Sequence, residues 1–86
     1  MNDSWKLLKP PAGVVRTVKT LNGYTLGEMA QMTYVSGARQ VENYVAGDRS
    51  MDASKFFCLV AHTMLPRGTI DRIETEMKRL IESDSK

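Results

Sequence analysis

Three polar side chains near the middle of the chain are of the types that read the edges of DNA bases. Arg39, Gln40 and Asn43 occupy positions i, i+1 and i+4 of a predicted helix, so they point away from its apolar side. Arginine pairs bidentately with guanine, and glutamine or asparagine with adenine. Gly37 and Ala38 precede them and allow close approach to a duplex. The spacing therefore predicts a base-reading surface, although the same residue types are also common on the solvated face of any small helical domain.

Two short helices around a tight turn are predicted to position these side chains. The first begins after Thr25, which forms a capping box with Glu28. The turn runs from Tyr34 to Gly37, where glycine supplies permissive backbone angles and Ser36 is expected to cap the next helix. That second helix extends from about residue 37 or 38 to 45 and ends before Gly47. The apolar residues expected to face inward are Leu26, Met29, Ala30, Val41, Tyr44 and Val45.

Phosphate contacts are expected from side chains around this pair of helices, namely Arg16, Lys19, Thr25, Ser36 and Arg49. The whole chain has 12 basic and 10 acidic residues, so it is not a polybasic protein. Its charge is uneven, however: residues 1–24 have four basic side chains and one acidic, a balance of +3, whereas residues 69–86 have four basic and five acidic, a balance of −1. Two interpretations of the basic N-terminal end stay open: it steers the protein toward phosphates, or it is an ordinary solvated face.

Three further helices are predicted from apolar periodicity. One opens at Pro10 and Pro11, ends at Asn22-Gly23 and turns Val14, Val15, Val18 and Leu21 inward. Another follows the polar loop 48–51, is capped by Ser50 or Asp52, and presents Phe56, Leu59, Val60, Thr63 and Met64. After a break at residues 66–68, Thr69 is expected to cap the last helix, whose stripe consists of Ile70, Ile73, Met77, Leu80 and Ile81.

The last stripe leaves two alternatives open. It pairs across a two-fold axis with a second copy, or it folds back on its own domain. A domain of 86 residues buries a modest core, so pairing would add stability, and we expect Ile70, Ile73, Met77, Leu80 and Ile81 to form a dimer interface. On the outer face, ion pairs are expected between Arg72 and Glu76 and between Glu74 and Lys78.

These elements predict an all-α fold of five helices. We expect an N-terminal arm over residues 1–9 that includes Trp5, a DNA-binding domain over residues 10–66, and a C-terminal helix over residues 67–86.

Other classes of protein find little support in the sequence. Cys58 and His62 lie four residues apart on the fourth helix, a spacing that suggests a nucleophile or a metal ligand pair, but no further zinc ligands stand at suitable spacing. We therefore expect core packing at this pair, no enzymatic activity, no metal and no cofactor. One cysteine agrees with a reducing compartment, and the longest apolar run, residues 56–61, is too short to cross a bilayer. A cytoplasmic location without membrane contact is expected.

Residues 25–49 resemble the helix-turn-helix of lambda-repressor-like, or XRE-type, DNA-binding proteins. The matching positions are Thr25, residues 28–30, Val41, Tyr44, Gly47 and Arg49, and the turn glycine frequent in that family is replaced by Tyr34. Segments 35–39 and 44–47 are similar to small regulators of mobile elements, such as anti-CRISPR-associated repressors. The resemblance implies a sequence-specific regulator of transcription, a repressor from a phage or plasmid, acting as a homodimer on a palindromic double-stranded operator. The alternative is a small helical protein-binding module or an inhibitor of a host protein.

Overall fold

Five helices make up the part of the chain that the structure, a computed structural model, describes, residues 8–84. They are α1 (Ala12–Asn22), α2 (Leu26–Thr33), α3 (Ala38–Ala46), α4 (Ala53–Met64) and α5 (Arg67–Asp84), and no strand occurs among these residues. The all-α expectation is confirmed. Most of the expected N-terminal arm, including Trp5, lies outside the described residues.

Local capping chemistry explains most of the helix boundaries. The side chain of Thr25 accepts from the Glu28 N–H at 3.1 Å, and the Thr25 N–H donates to the Glu28 carboxylate at 2.8 Å, which completes the expected capping box. Asp52 rather than Ser50 caps α4 by accepting from the Lys55 N–H at 2.9 Å. Gly47 ends α3 at φ 86°, a left-handed conformation that favours glycine.

The start of α5 differs from the prediction. The helix begins at Arg67, two residues before the expected cap Thr69, because the carbonyl of Pro66 accepts from the N–H groups of Thr69 and Ile70 at 3.0 and 3.2 Å. Gly68 is therefore a residue of the first turn. There the backbone N–H groups have no partner within the helix, so glycine disturbs little.

The core lies between α1, α2, α3 and α4, where α2 packs on α3 and α4 while α1 packs on α3. Its fully buried side chains are Val15, Met29, Val41, Met51 and Leu59. Met51 was expected in a polar loop, yet it is 1% exposed. Several expected core positions are instead exposed, namely Val14 and Leu21 on α1 and Met64 on α4, because no other helix among residues 8–84 covers those faces.

Only the first part of α5 is held by the body of the fold. Ile70 is 6% exposed and belongs to the core, so little of its side chain is left for the expected dimer interface. The next four apolar residues of the stripe are exposed: Ile73, Met77, Leu80 and Ile81. The expected outer ion pairs are also wrong. Glu76 pairs with Arg79 one turn later, and Glu74 is bound by a tyrosine from the turn after α2.

No helix among residues 8–84 combines the length and the apolar character needed to cross a membrane.

Candidate nucleic-acid interface

The outward face of α3 presents Arg39 and Asn43 one turn apart. Successive residues of a helix are rotated by about 100°, so positions 39 and 43 lie within about 40° of each other and opposite the buried Val41. Arg39 is exposed and Asn43 half-buried, and neither side chain has a hydrogen-bond partner among residues 8–84. The structure therefore brings together two of the three predicted base readers, with their polar groups available to a ligand.

Gln40 lies at the edge of this face. Its rotation of about 100° from Arg39 takes it toward the core side of the helix. The side chain is half-buried, and its Nε2 donates to the hydroxyl oxygen of Tyr44 at 2.8 Å. Because Tyr44 is 5% exposed, this bond holds the Gln40 amide in a fixed direction. One amide hydrogen and the amide oxygen remain for a base edge, so Gln40 is more restricted than the sequence suggested.

The start of α3 is open rather than capped by a side chain. Gly37 is its N-cap residue, and Ser36, expected to cap it, makes no such bond. Gly37 has extended backbone angles, φ −172° and ψ 167°, which any residue adopts, so the permissive backbone angles expected of this glycine are not needed here. A Cβ at this position would meet no atom within 4 Å. The N–H groups of Ala38 and Arg39 precede the first backbone bond of α3, which Gln40 donates to the Gly37 carbonyl, and they lie at the positive end of the helix dipole.

Two of the expected phosphate-binding arginines lie at the far end of α3. Nη1 of Arg16 donates to the carbonyl of Val45 at 2.7 Å and so links α1 to the C-terminal end of α3. The N–H of Arg49 lies 3.3 Å from the carbonyl of Asn43, just after the helix, while its side chain is exposed. Residue 45 is about 9 Å along the axis from Arg39. Arg16 therefore has a structural role that the sequence did not reveal.

The remaining expected phosphate contacts have mixed surroundings. Lys19 is half-buried in the last turn of α1, where a cation interacts favourably with the helix dipole. The N–H of Thr25 is used by the capping box, and the carboxylate of Glu28 stands at the start of α2. The bonds from Thr25 lower the pKa of Glu28, first through the backbone N–H and then through the side chain, so the carboxylate stays ionised there. The beginning of α2 is accordingly a poorer place for a phosphate than the beginning of α3.

Tyr34, in the turn between α2 and α3, is a residue whose role sequence reasoning missed. Its backbone adopts the left-handed conformation with φ 59°, which residues other than glycine rarely take. Its backbone N–H donates to carbonyls of the last turn of α2 and so ends that helix. Its hydroxyl donates to Oε2 of Glu74 on α5 at 2.8 Å and lies 2.9 Å from Nε2 of His62 on α4. Because the single phenol proton goes to the carboxylate, His62 Nε2 is the donor in the second bond.

The pKa of Tyr34 is raised to about 12, first by burial and then by the bond to Glu74. The replacement of the frequent turn glycine by tyrosine was the one signal in the sequence.

No hydrogen bond joins Cys58 to His62 in the described part of the chain. His62 is engaged with Tyr34, with the two rings edge to face at a centroid distance of 5.6 Å. Burial raises the pKa of the half-buried Cys58 thiol, which favours the unreactive neutral form. Within the described part of the chain, no group of three or more histidine, cysteine or acidic side chains is placed to hold a metal ion.

Comparison of the chain with protein-family models, with curated proteins and with solved structures gives no match.

Proposed function

We propose that this chain is a sequence-specific double-stranded-DNA-binding regulator that places the first half of α3 in the major groove. The observation that supports this most is the pair Arg39 and Asn43, without partners among residues 8–84 and one turn apart on a helix whose opposite face is core. A helix fixed in this way presents donors and acceptors with little loss of backbone conformational entropy on binding. The open start of α3 adds backbone N–H groups suited to a phosphate.

In this proposal α2, the turn and α3 act as a helix-turn-helix of the lambda-repressor-like type. Arg39 and Asn43 read base edges and Gln40 assists from the edge of the face. Arg49 and Lys19 position the protein on phosphates. The regulator acts by occupying its site as a homodimer on a palindromic operator. Repression by a small protein of a mobile element is the form of regulation that we propose, because a bound domain of this size blocks access to DNA without a further effector.

The test begins with selection of bound duplexes from a random pool, followed by titration of the selected and a scrambled duplex by fluorescence anisotropy. Arg39→Ala is expected to weaken binding to the selected duplex by about 1 to 3 kcal/mol and to leave binding to the scrambled duplex nearly unchanged. Arg67→Ala on α5 is the matched control, because it removes the same charge from an exposed arginine and is expected to change neither. Equal losses on both duplexes for Arg39→Ala would contradict base reading.

A second candidate, a small protein-binding module, is favoured by the exposed apolar side chains on α4 and α5, among them Phe57, which is 71% exposed. Salt separates the two candidates. Binding to several phosphates weakens steeply as salt is added, whereas an apolar protein interface responds little.

A further inference from the structure

The second half of α5 has an apolar face that no other described part of the chain covers. Every residue from 75 to 84 is exposed, although Met77, Leu80 and Ile81 stand at helical spacing on one side. Upstream, the helix is attached through buried Ile70 and through Glu74. A projecting stretch of this length has little helical stability of its own in water, and packing of an amphipathic face is what normally stabilises it. A partner on this face would therefore stabilise α5.

An apolar groove adjoins this projecting stretch. It has a volume of about 320 Å³ and lies between α4 and α5, with the turn residue Tyr34 at its edge. Its lining includes Phe57 of α4 and Leu65 just after that helix, together with Ile73 and Met77 of α5. Phe57 is the most exposed of these side chains. This apolar groove thus lies next to a ridge of exposed apolar side chains, Leu80 and Ile81, in the second half of α5.

We propose that a second copy of this chain covers this face, with the second half of α5 of each protomer entering the groove between α4 and α5 of the other. A two-fold interface uses the same patch on both subunits, so a chain that pairs in this way must present complementary features itself. Here Leu80 and Ile81 form the ridge, while Phe57, Leu65 and Ile73 line the groove. This proposal identifies the surface through which the homodimer of the proposed function forms. It rests on the proposed function only for the expectation that the operator is symmetric.

The size of the face fits a dimer. With ordinary side-chain areas, the exposed parts of the apolar residues amount to roughly 700 Å², close to the ~800 Å² per partner of a standard-size interface. These residues are Tyr34, Phe57, Leu65, Ile73, Met77, Leu80 and Ile81. The charge of α5 also permits self-association: four basic and five acidic side chains give it a balance of −1, so two copies repel each other little.

The experiment measures the mass of the full chain without DNA by sedimentation equilibrium from 1 to 100 µM. Wild type is expected at twice its 9.7 kDa mass. Phe57→Asp in the groove and Ile81→Asp on the ridge are each expected to give monomers whose far-ultraviolet circular dichroism is unchanged. Leu21→Asp is the matched control, because Leu21 is an 80% exposed apolar residue on α1, and it is expected to remain dimeric.

Mixing the two variants tests the reciprocal insertion. The ridge of the Phe57→Asp chain and the groove of the Ile81→Asp chain are both intact, so the mixture is expected to recover a dimeric fraction that neither variant forms alone. A wild-type monomer at 100 µM, dimeric single variants, or a mixture that stays monomeric would overturn the proposal. A monomer that still prefers the selected duplex would refute the dimer and leave the proposed reading of DNA bases by α3 standing, whereas a dimer without DNA preference would support the dimer and refute that reading.

Discussion

The hydroxyl of Tyr34 donates to Oε2 of Glu74 at 2.8 Å and thereby ties the turn between α2 and α3 to α5. The two residues are 40 positions apart, and the tyrosine is held in a left-handed backbone conformation unusual for its type. The same side chain borders the groove between α4 and α5. The turn before the proposed reading helix and the proposed dimer face therefore share one residue.

Tyr34→Phe is expected to lower the free energy of unfolding at pH 7 by about 0.5 to 1.5 kcal/mol, because it removes hydrogen bonds to Glu74 and His62 and keeps the ring. Urea unfolding followed by circular dichroism measures this change.

The alkaline limb gives a second readout for Tyr34. Its pKa rises from 10.0 to about 12 in the folded state, so the neutral phenol is favoured by folding. This contribution to stability is complete below pH 10 and is lost as pH rises toward 12. Wild type should therefore lose more stability than Tyr34→Phe between pH 9.5 and 11.5, and Glu74→Gln should lie between them. If the free energy of unfolding falls in parallel with pH for wild type and Tyr34→Phe, folding does not raise the pKa of the Tyr34 hydroxyl.

Asp52 should control stability on the acid side. Its pKa falls from 3.8 to about 2, mainly because its carboxylate accepts from the Lys55 ammonium group and then from the Lys55 backbone N–H. A lowered pKa contributes stability that is present above about pH 4 and is lost as pH falls through 2. Asp52→Ala is expected to cost about 1 kcal/mol at pH 7 through loss of the α4 cap.

Asp52→Asn is the control for the acid limb, since asparagine caps a helix as well as aspartate but does not titrate. Unfolding in urea at pH 5, 4, 3 and 2 should show a shallower acid loss for Asp52→Asn than for wild type. If both proteins lose stability in parallel, the acid dependence resides in other carboxylates.

Features that depend on neighbours within a few residues were predictable from the sequence. The capping box of Thr25 and Glu28 and the end of α3 at Gly47 follow from local hydrogen bonding, and both are confirmed. The outward position of Arg39 follows from helical periodicity alone. In each case the physical cause lies within one or two turns of the chain.

Features fixed by distant contacts were not predictable. Met51 is buried because it packs into the core cluster formed by residues of α1, α2, α3 and α4, and its only sign in the sequence is an apolar residue in a polar loop. Ile70 is buried in the core, whereas the other four apolar residues of the α5 stripe are exposed. Helical periodicity does not predict this difference, because all five residues fit the same pattern. The bond from Arg16 to the Val45 carbonyl joins residues 29 positions apart. The sequence around Arg16 therefore does not reveal that this side chain links two helices.

Gly37→Ala should separate binding from folding. A Cβ there meets no atom within 4 Å and the backbone angles suit alanine, so we expect the free energy of unfolding to change by less than about 0.5 kcal/mol. If α3 approaches the duplex closely at its start, binding should weaken by about tenfold, or ~1.4 kcal/mol. Gly68→Ala, equally unobstructed but on α5, is the matched control and should bind as wild type does. Undiminished binding by Gly37→Ala would place the duplex away from the start of α3.

Arg16 and Arg49 should respond differently although both were expected to bind phosphate. Arg16→Ala removes the link between α1 and the end of α3 and is expected to lower the free energy of unfolding by about 1 kcal/mol. Arg49→Ala removes an exposed side chain without a partner among residues 8–84, so its stability should stay within about 0.5 kcal/mol of wild type.

Binding supplies the other half of this comparison. Arg49→Ala should weaken the selected and the scrambled duplex alike and reduce the slope of log affinity against log salt by about 1, since one phosphate contact is lost. Arg16→Ala should leave that slope unchanged, because its guanidinium is held by the Val45 carbonyl. A reduced slope together with unchanged stability for Arg16→Ala would mean that this arginine leaves Val45 and contacts the duplex, which would put the second half of α3 as well as its start against the DNA backbone.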